Sequence, residues 1–218
     1  LGCEVIALGH TATDQLETVL MHLTRGCGLG GLAAMPVLRA GRWRPVLDLT
    51  REETRELCVR LGLKFVEDPT NQLREHLRVR LREEVLPLLR QQNPQVEAAA
   101  LAMTRRLVDA DALVDAVVDA EFEARKSGGE DGQTLDLVGY AELNRELRTR
   151  LILRVLRRSD DEPADGLRRI VEDVDRALCA DARAGRGFAP RRWDAGAGRE
   201  LWVARGRLGL DSRGAGAK

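Results

Sequence analysis

The first apolar run, Cys3-Glu4-Val5-Ile6-Ala7-Leu8, is short and rich in strand-forming residues. Its length predicts a buried strand of a parallel sheet rather than a helix. After Gly9 and a polar stretch the period changes. Leu16, Val19, Leu20 and Leu23 recur at helical spacing, and the pattern stops at Arg25-Gly26, a basic last turn followed by a glycine stop. A strand, a polar loop and a helix N-terminus form an α/β unit, and ligands of open parallel sheets bind at such strand ends. Gly26-Cys27-Gly28-Leu29-Gly30-Gly31 reads as a flexible glycine loop without a GxGxxG spacing or a Walker lysine, so on its own it is weak evidence of phosphate binding.

Downstream, Thr50 and Glu53 have capping-box spacing for a helix from about Thr50 to Leu61, with Gly62 just past its end. Leu63-Lys64-Phe65-Val66 predicts a short strand, and Glu67-Asp68-Pro69-Thr70-Asn71 a turn. Gln72 to Arg90 reads as a basic helix. Asn93-Pro94 opens a long amphipathic helix to about Lys126, with a stripe at Val96, Ala100, Met103, Leu107, Ala110, Val114 and Val117. The charged, glycine-rich segment Ser127 to Gln133 is the expected domain boundary. Beyond it the pattern predicts helices over Tyr140–Arg158 and Asp165–Ala182, then a short β-ending through Glu200–Val203, a turn at Gly206, and Leu208–Leu210. The expected layout is therefore 1–92, a linker helix 93–126, and a mostly helical α+β domain 127–218.

Composition narrows the classes. A chain of 218 residues holds one to two domains. Lys+Arg and Asp+Glu balance at 35 each, so the net charge makes no case for a polyanionic partner. Aromatics at 3% leave little for a base-stacking platform. Cys3, Cys27, Cys58 and Cys179 form no CxxC pair and lie in apolar sequence, which predicts reduced core thiols rather than a metal site. No apolar run reaches the roughly 18 residues of a membrane span. Leu1 opens without a basic, signal-like region. The expectation is a cytoplasmic protein with no membrane association, trimmed at its start because no Met precedes Leu1.

His10-Thr11-Ala12-Thr13-Asp14-Gln15-Leu16-Glu17-Thr18 resembles the second signature of PP-loop ATPases, HxxDDxxET. Arg25-Gly26-Cys27-Gly28 with Gly31-Leu32-Ala33-Ala34-Met35, then Arg44-Pro45-Val46-Leu47-Asp48, then Glu67-Asp68-Pro69-Thr70-Asn71, Arg78-Val79-Arg80-Leu81-Arg82 and Leu86-Pro87-Leu88-Leu89, resemble RGSG..GL.GM, RPLLD, EDPSN, RNRIR and LPLL of the tRNA(Ile)-lysidine synthase family, in family order. Three positions depart from the pattern. Thr13 stands for the first Asp, Val79 for the Asn of RNR, and His76 for a Phe. The family's SGGxDS loop lies upstream of Leu1.

The resemblance implies the C-terminal part of a doubly wound parallel-sheet PP-loop domain, followed by a linker helix and a tRNA-binding domain. It implies that ATP, with Mg²⁺, adenylates C2 of the wobble cytidine of tRNA(Ile) bearing a CAU anticodon. Free L-lysine then displaces AMP through its ε-amine. By family position Asp14 and Glu17 line the lysine or Mg²⁺ end of the pocket, with Asp14 the metal ligand. Arg78 and Arg80 meet phosphate, and Gly9, His10 and Arg25 border the nucleotide. The resemblance is compatible with a homodimer.

Plainer roles exist for each of these residues. First-turn acids stabilise a helix dipole, loop histidines are often structural, and arginines four apart often form a solvated face in which Arg82 would bridge Glu83 or Glu84. The local excess of arginine from Arg183 to Lys218 suits either tRNA phosphates or a soluble tail. Two alternatives stay open: another PP-loop tRNA-modifying enzyme, disfavoured by the absence of CxxC pairs, and a non-catalytic tRNA-binding module, suggested by Thr13 and Val79.

Overall fold

The computed structural model describes residues 2–66, 77–127, 134–156 and 167–212. The chain divides into two compact units, Leu1–Leu113 and Val114–Lys218. The division falls inside one long helix, Val96–Arg125 (α6), so the two halves of that helix serve different cores.

In the first unit, β1 (Ile6–Ala7) pairs in parallel with β3 (Arg42–Trp43), which pairs antiparallel with β2 (Leu38–Arg39). The run Cys3–Leu8 thus yields two residues of strand, and Val5 and Ile6 are exposed rather than buried. Helix α1 (Ala12–Arg25) starts where Thr11 and Asp14 close a reciprocal capping box, which satisfies two otherwise orphan donors. Leu16 and Val19 are buried beneath it, while Leu23 is exposed. The glycine loop is in part a turn of helix, α2 (Leu29–Leu32). It is held there by His22, whose Nδ1 lies 2.6 Å from the Gly31 carbonyl, and by Gln15, whose Oε1 accepts from Met35 N at 3.0 Å. Helix α3 (Arg51–Arg60) has the predicted Thr50–Glu53 capping box. Residues 63–66 form no strand; with neither face of the segment covered, its apolar side chains are exposed.

The predicted turn at 67–71 and the start of the basic helix lie outside the described residues. From Leu77 the helix runs as α4 (Leu77–Arg80), a π-helical turn at Leu81–Val85 and α5 (Leu86–Gln92). Pro87 accounts for the wide turn. It offers no N–H to the carbonyl four residues back and its ring crowds that oxygen, and the Leu86 N–H reaches back five residues to Leu81 O. Two small apolar clusters make the core: Ala12, Leu47 and Leu101 with Met35, and Leu16, Leu86 and Ala100 with Leu20 and Val96.

The predicted stripe of α6 is displaced. Met103 and Val117 are exposed, whereas Glu97, Ala100, Leu101 and Thr104 are buried in the first unit and Val118 and Phe122 in the second. The cause is the period: Ala100 and Val118, like Thr104 and Phe122, stand five full turns apart and share a face, whereas a stripe of alternating four- and three-residue steps drifts about 20° per heptad away from that face.

The second unit contains a five-stranded antiparallel sheet in the order β4-β5-β8-β7-β6, formed by β4 (Lys126–Ser127), β5 (Thr134–Asp136), β6 (Arg191–Gly196), β7 (Arg199–Ala204) and β8 (Arg207–Ser212). Helices α7 (Arg145–Leu156) and α8 (Arg168–Arg183) share with it a core that includes Tyr140, Leu151, Leu178, Leu201 and Leu208. The expected β-ending is present as β7 and β8, and β4, β5 and β6 are additions to it. Arg199, itself buried, donates to Leu156 O at 2.9 Å and so satisfies a carbonyl in the last turn of α7. Behind the core, Asp175 accepts from Tyr140 Oη at 2.8 Å and from Arg148 Nε at 2.7 Å. Cys179 is buried, but Cys3 is exposed and Cys27 and Cys58 are half-buried, so the expectation of four core thiols holds for one of them. No described helix is long and apolar enough to cross a membrane.

Candidate active site

The site grows from the first two turns of α1. Leu16 and Val19 turn one face of that helix to the core, and the 3.6-residue period then carries Glu17 inward with them. Its carboxylate is 0% exposed. An ionised carboxylate held there requires partners, because isolated burial is expensive. The partners come from 65 residues downstream: Arg82 Nε lies 2.6 Å from Oε1 and Arg82 Nη2 3.0 Å from Oε2. This is the two-pronged fork that arginine forms with a carboxylate. Arg78 Nε is 3.3 Å from the same Oε2, and its Nη2 donates to Thr18 Oγ1 at 3.2 Å. Burial pushes the Glu17 carboxyl above its ordinary value against the pull of Arg82, while Arg82 is held protonated still more firmly by Glu17.

Asp14 stands one turn earlier. Its Oδ2 accepts from Thr11 N at 2.9 Å and from Thr11 Oγ1 at 2.8 Å, and the other oxygen has no partner among the described residues. His10, in the loop before α1, accepts through Nδ1 from Arg44 Nε at 3.1 Å. That bond places the imidazole proton on Nε2. Burial, then the charges of Arg44 and Arg78, outweigh the pull of Asp14 and lower the His10 pKa below its ordinary 6.5, so the ring is neutral at pH 7.

The structure therefore gathers His10, Asp14, Glu17 and Arg78, and adds Arg82, Thr18 and Arg44. Arg80 stands apart. It is 59% exposed and pairs with Glu84 at 3.4 Å, because in the row Arg78-Val79-Arg80-Leu81-Arg82 only the first and last share a helix face. Arg82 bridges Glu17 and not the neighbouring Glu83 or Glu84. Arg25 is exposed at the far end of α1, about 16 Å along the axis from Asp14 at 1.5 Å per residue. Gly9 is exposed, with open space where a Cβ would stand, so no steric demand requires glycine there. The sequence reading missed Arg82: its spacing of four from Arg78 suggested a solvated face, whereas that same spacing sets both arginines on Glu17. Nothing local marked Arg44 as the partner of His10.

The departures from the family motif acquire physical roles. Thr13 is 2% exposed and its hydroxyl accepts from Arg51 N at 3.2 Å, at the start of α3. It holds the start of α3 through that bond. Val79 is buried, where an amide would need a partner. His76 lies outside the described residues. As for a cation, no group of three or more His, Cys, Asp or Glu side chains is gathered among the described residues. Glu17 is closed by arginines, which leaves Asp14 as the one carboxylate of this cluster able to bind a metal. Mg²⁺ commonly takes only one or two protein carboxylates, with substrate phosphates completing its shell, so a single aspartate fits that mode.

The PP-loop domain family matches residues 1–89. Curated relatives include a tRNA(Ile)-lysidine synthase of Thermobifida fusca (strain YX), 42% identical over 153 residues, 69% of this chain and 46% of that protein. Another, from Rhodococcus jostii (strain RHA1), is 40% identical over 153 residues, 69% of this chain and 47% of that protein. A third, from Salinispora arenicola (strain CNS-205), is 47% identical over 116 residues, 51% of this chain and 34% of its own. The chain spans about half the length of the first two relatives. By these matches, and by the motif residues that meet around Glu17, residues 1–89 belong to the PP-loop domain family and the chain is similar to tRNA(Ile)-lysidine synthases.

Proposed function

We propose that the chain is part of a tRNA(Ile)-lysidine synthase, a ligase that forms a carbon–nitrogen bond. The observation that carries this reading is the meeting of two motif blocks: His10, Asp14, Glu17 and Thr18 from one, and Arg78 and Arg82 from another. On this reading ATP activates C2 of the wobble cytidine of a tRNA(Ile) with a CAU anticodon, and the ε-amine of free L-lysine displaces AMP, in the cytoplasm where these substrates coexist. Arg78, 42% exposed and held by Glu17 and Thr18, would meet a phosphate with its planar guanidinium fork. Asp14 would hold Mg²⁺ beside the ATP phosphates or the lysine ammonium through its unengaged oxygen. Neutral His10 would present Nε2–H to a nucleotide oxygen or ring nitrogen. Glu17 acts through Arg78 and Arg82 rather than on substrate. The sheet of the first unit is read as the C-terminal part of a doubly wound PP-loop sheet, and the second unit as the tRNA-binding part.

The test incubates the product of the complete gene with ATP, radiolabelled lysine and a CAU-anticodon tRNA(Ile) transcript, and counts acid-precipitable lysine. ATP-dependent incorporation is expected, abolished in Asp14→Ala and Arg78→Ala and reduced less in Arg80→Ala, which lies outside the Glu17 cluster. Tight tRNA binding without incorporation would replace the enzyme by a tRNA-binding module.

A further inference from the structure

A second basic feature lies in the first unit, on the β2–β3 hairpin. Its register sets Arg39 directly across from Arg42, with Ile6 of β1 next in the same row. Only Ala40 and Gly41 separate the two arginines, at φ values of 50° and 69°, the two-residue turn with both positions left-handed. Paired residues on neighbouring strands project to one face with Cβ atoms about 5 Å apart, and like charges so placed oppose folding. A left-handed alanine adds strain. Arg39 and Arg42 are both exposed, and no carboxylate among the described residues pairs with either. Two residues on, Arg44 is buried, and its guanidinium donates to Pro36 O at 2.7 Å and to His10. Burial, then the charges of Arg42 and Arg39, lower the Arg44 pKa, which places the three cations within each other's field. The result is an uncompensated strip that ends on His10.

We propose that this hairpin is a docking site for the phosphodiester backbone of the tRNA substrate, with Arg39 and Arg42 abreast on one strand of RNA and Arg44 leading toward His10. The inference rests on the proposed tRNA-modifying function and assigns part of its substrate surface. RNA suits the feature better than a free nucleotide. Small-molecule sites are concave and enclose their ligand, whereas an exposed pair on a hairpin tip meets a strand lying across it, and such contacts fix register without reading sequence. Guanidinium forks are the side chains best matched to phosphate oxygens.

The experiment measures tRNA(Ile) transcript binding to the full chain by fluorescence anisotropy over a series of salt concentrations, for the parent, Arg39→Ala/Arg42→Ala and Arg39→Lys/Arg42→Lys. The alanine pair is expected to weaken Kd about tenfold near 0.1 M salt and to flatten the dependence of log K on log salt by about 1 per arginine, about 2 in all. A non-cognate tRNA should weaken by the same factor, and the lysine pair should keep the parental slope. The alanine pair removes a repulsion, so its thermal midpoint should not fall below the parent's. Unchanged Kd and slope in a parent that binds tRNA would overturn the docking site and leave the proposed function standing. A parent that does not bind tRNA would overturn both. Loss of affinity for ATP by calorimetry, with tRNA binding intact, would assign the strip to nucleotide phosphates and overturn the RNA proposal.

Discussion

Replacing Glu17 by glutamine tests whether the buried carboxylate holds the site together. The substitution keeps the shape and one acceptor oxygen, but leaves Arg82 and Arg78 without their counter-ion. Stranding one partner of a fully buried pair costs about 3–5 kcal/mol. Here Arg82 retains 20% and Arg78 42% of its side-chain exposure, so water screens part of the exposed charge and the figure falls to about 2 kcal/mol. With a urea slope of about 2 kcal/mol per molar, the unfolding midpoint of the first unit should drop by about 1 M. Hydrogen exchange of peptides from 12–25 along a urea series reads that unit separately from the second. A double-mutant cycle with Arg82→Met supplies the pairwise value, because in that background Glu17→Gln should cost markedly less. A midpoint shift below about 0.3 M, or an equal cost in both backgrounds, would refute the argument that Glu17 organises the two arginines.

Other expectations follow from the same geometry. In the second unit, burial works against the charge of Asp175, but bonds from Arg148 and Tyr140 hold its pKa below the ordinary value. Its stabilising effect should therefore be complete above the unfolded pKa near 4 and vanish as pH falls through the lower folded value. Asp175→Asn should flatten that part of an acid-unfolding profile, and an identical profile would contradict it. Gly209→Ala should destabilise the sheet by about 1–3 kcal/mol in thermal unfolding, since a Cβ there would stand 2.4 Å from the Trp202 ring. Thr13→Val removes the hydroxyl that accepts from Arg51 N and should cost about 1 kcal/mol of stability while leaving lysine incorporation near the parental rate. A collapse of incorporation in a folded Thr13→Val protein would place position 13 in the chemistry after all. The His10 pKa lies below its ordinary value, so its contribution is present above the unfolded pKa near 6.5 and is lost as pH falls toward the folded one. His10→Gln should remove that dependence from a pH series of thermal midpoints.

Local chemistry was legible in the chain. The Thr50–Glu53 capping box, the glycine stop of α1 and the extent of α6 follow from interactions within a few residues, which composition and spacing encode directly. The motif order also marked His10, Asp14, Glu17 and Arg78 as candidates. Their roles were not legible, because they depend on partners far along the chain. Asp14 has a nearby bond to Thr11, but the closure of Glu17 by Arg82, the tie of His10 to Arg44 and the use of Thr13 to hold α3 each join residues at least 34 apart. The division of Arg78 and Arg82 from Arg80 needed the helix phase relative to Glu17. The burial of α6 needed the helix's actual 3.6-residue period, from which the heptad-like stripe read in the sequence drifts over about eight turns. β4 and β5 are two- and three-residue strands whose existence rests on pairing, Leu135 opposite Leu208 for example. Sequence by itself determined where most helices start and stop and which residues were candidates for the site, through short-range hydrogen bonding, periodicity and motif order. Only the tertiary structure decided which of those charges are buried, and the burial of Glu17 is what divides a row of arginines into a pair that faces its carboxylate and one that stands on a solvated face.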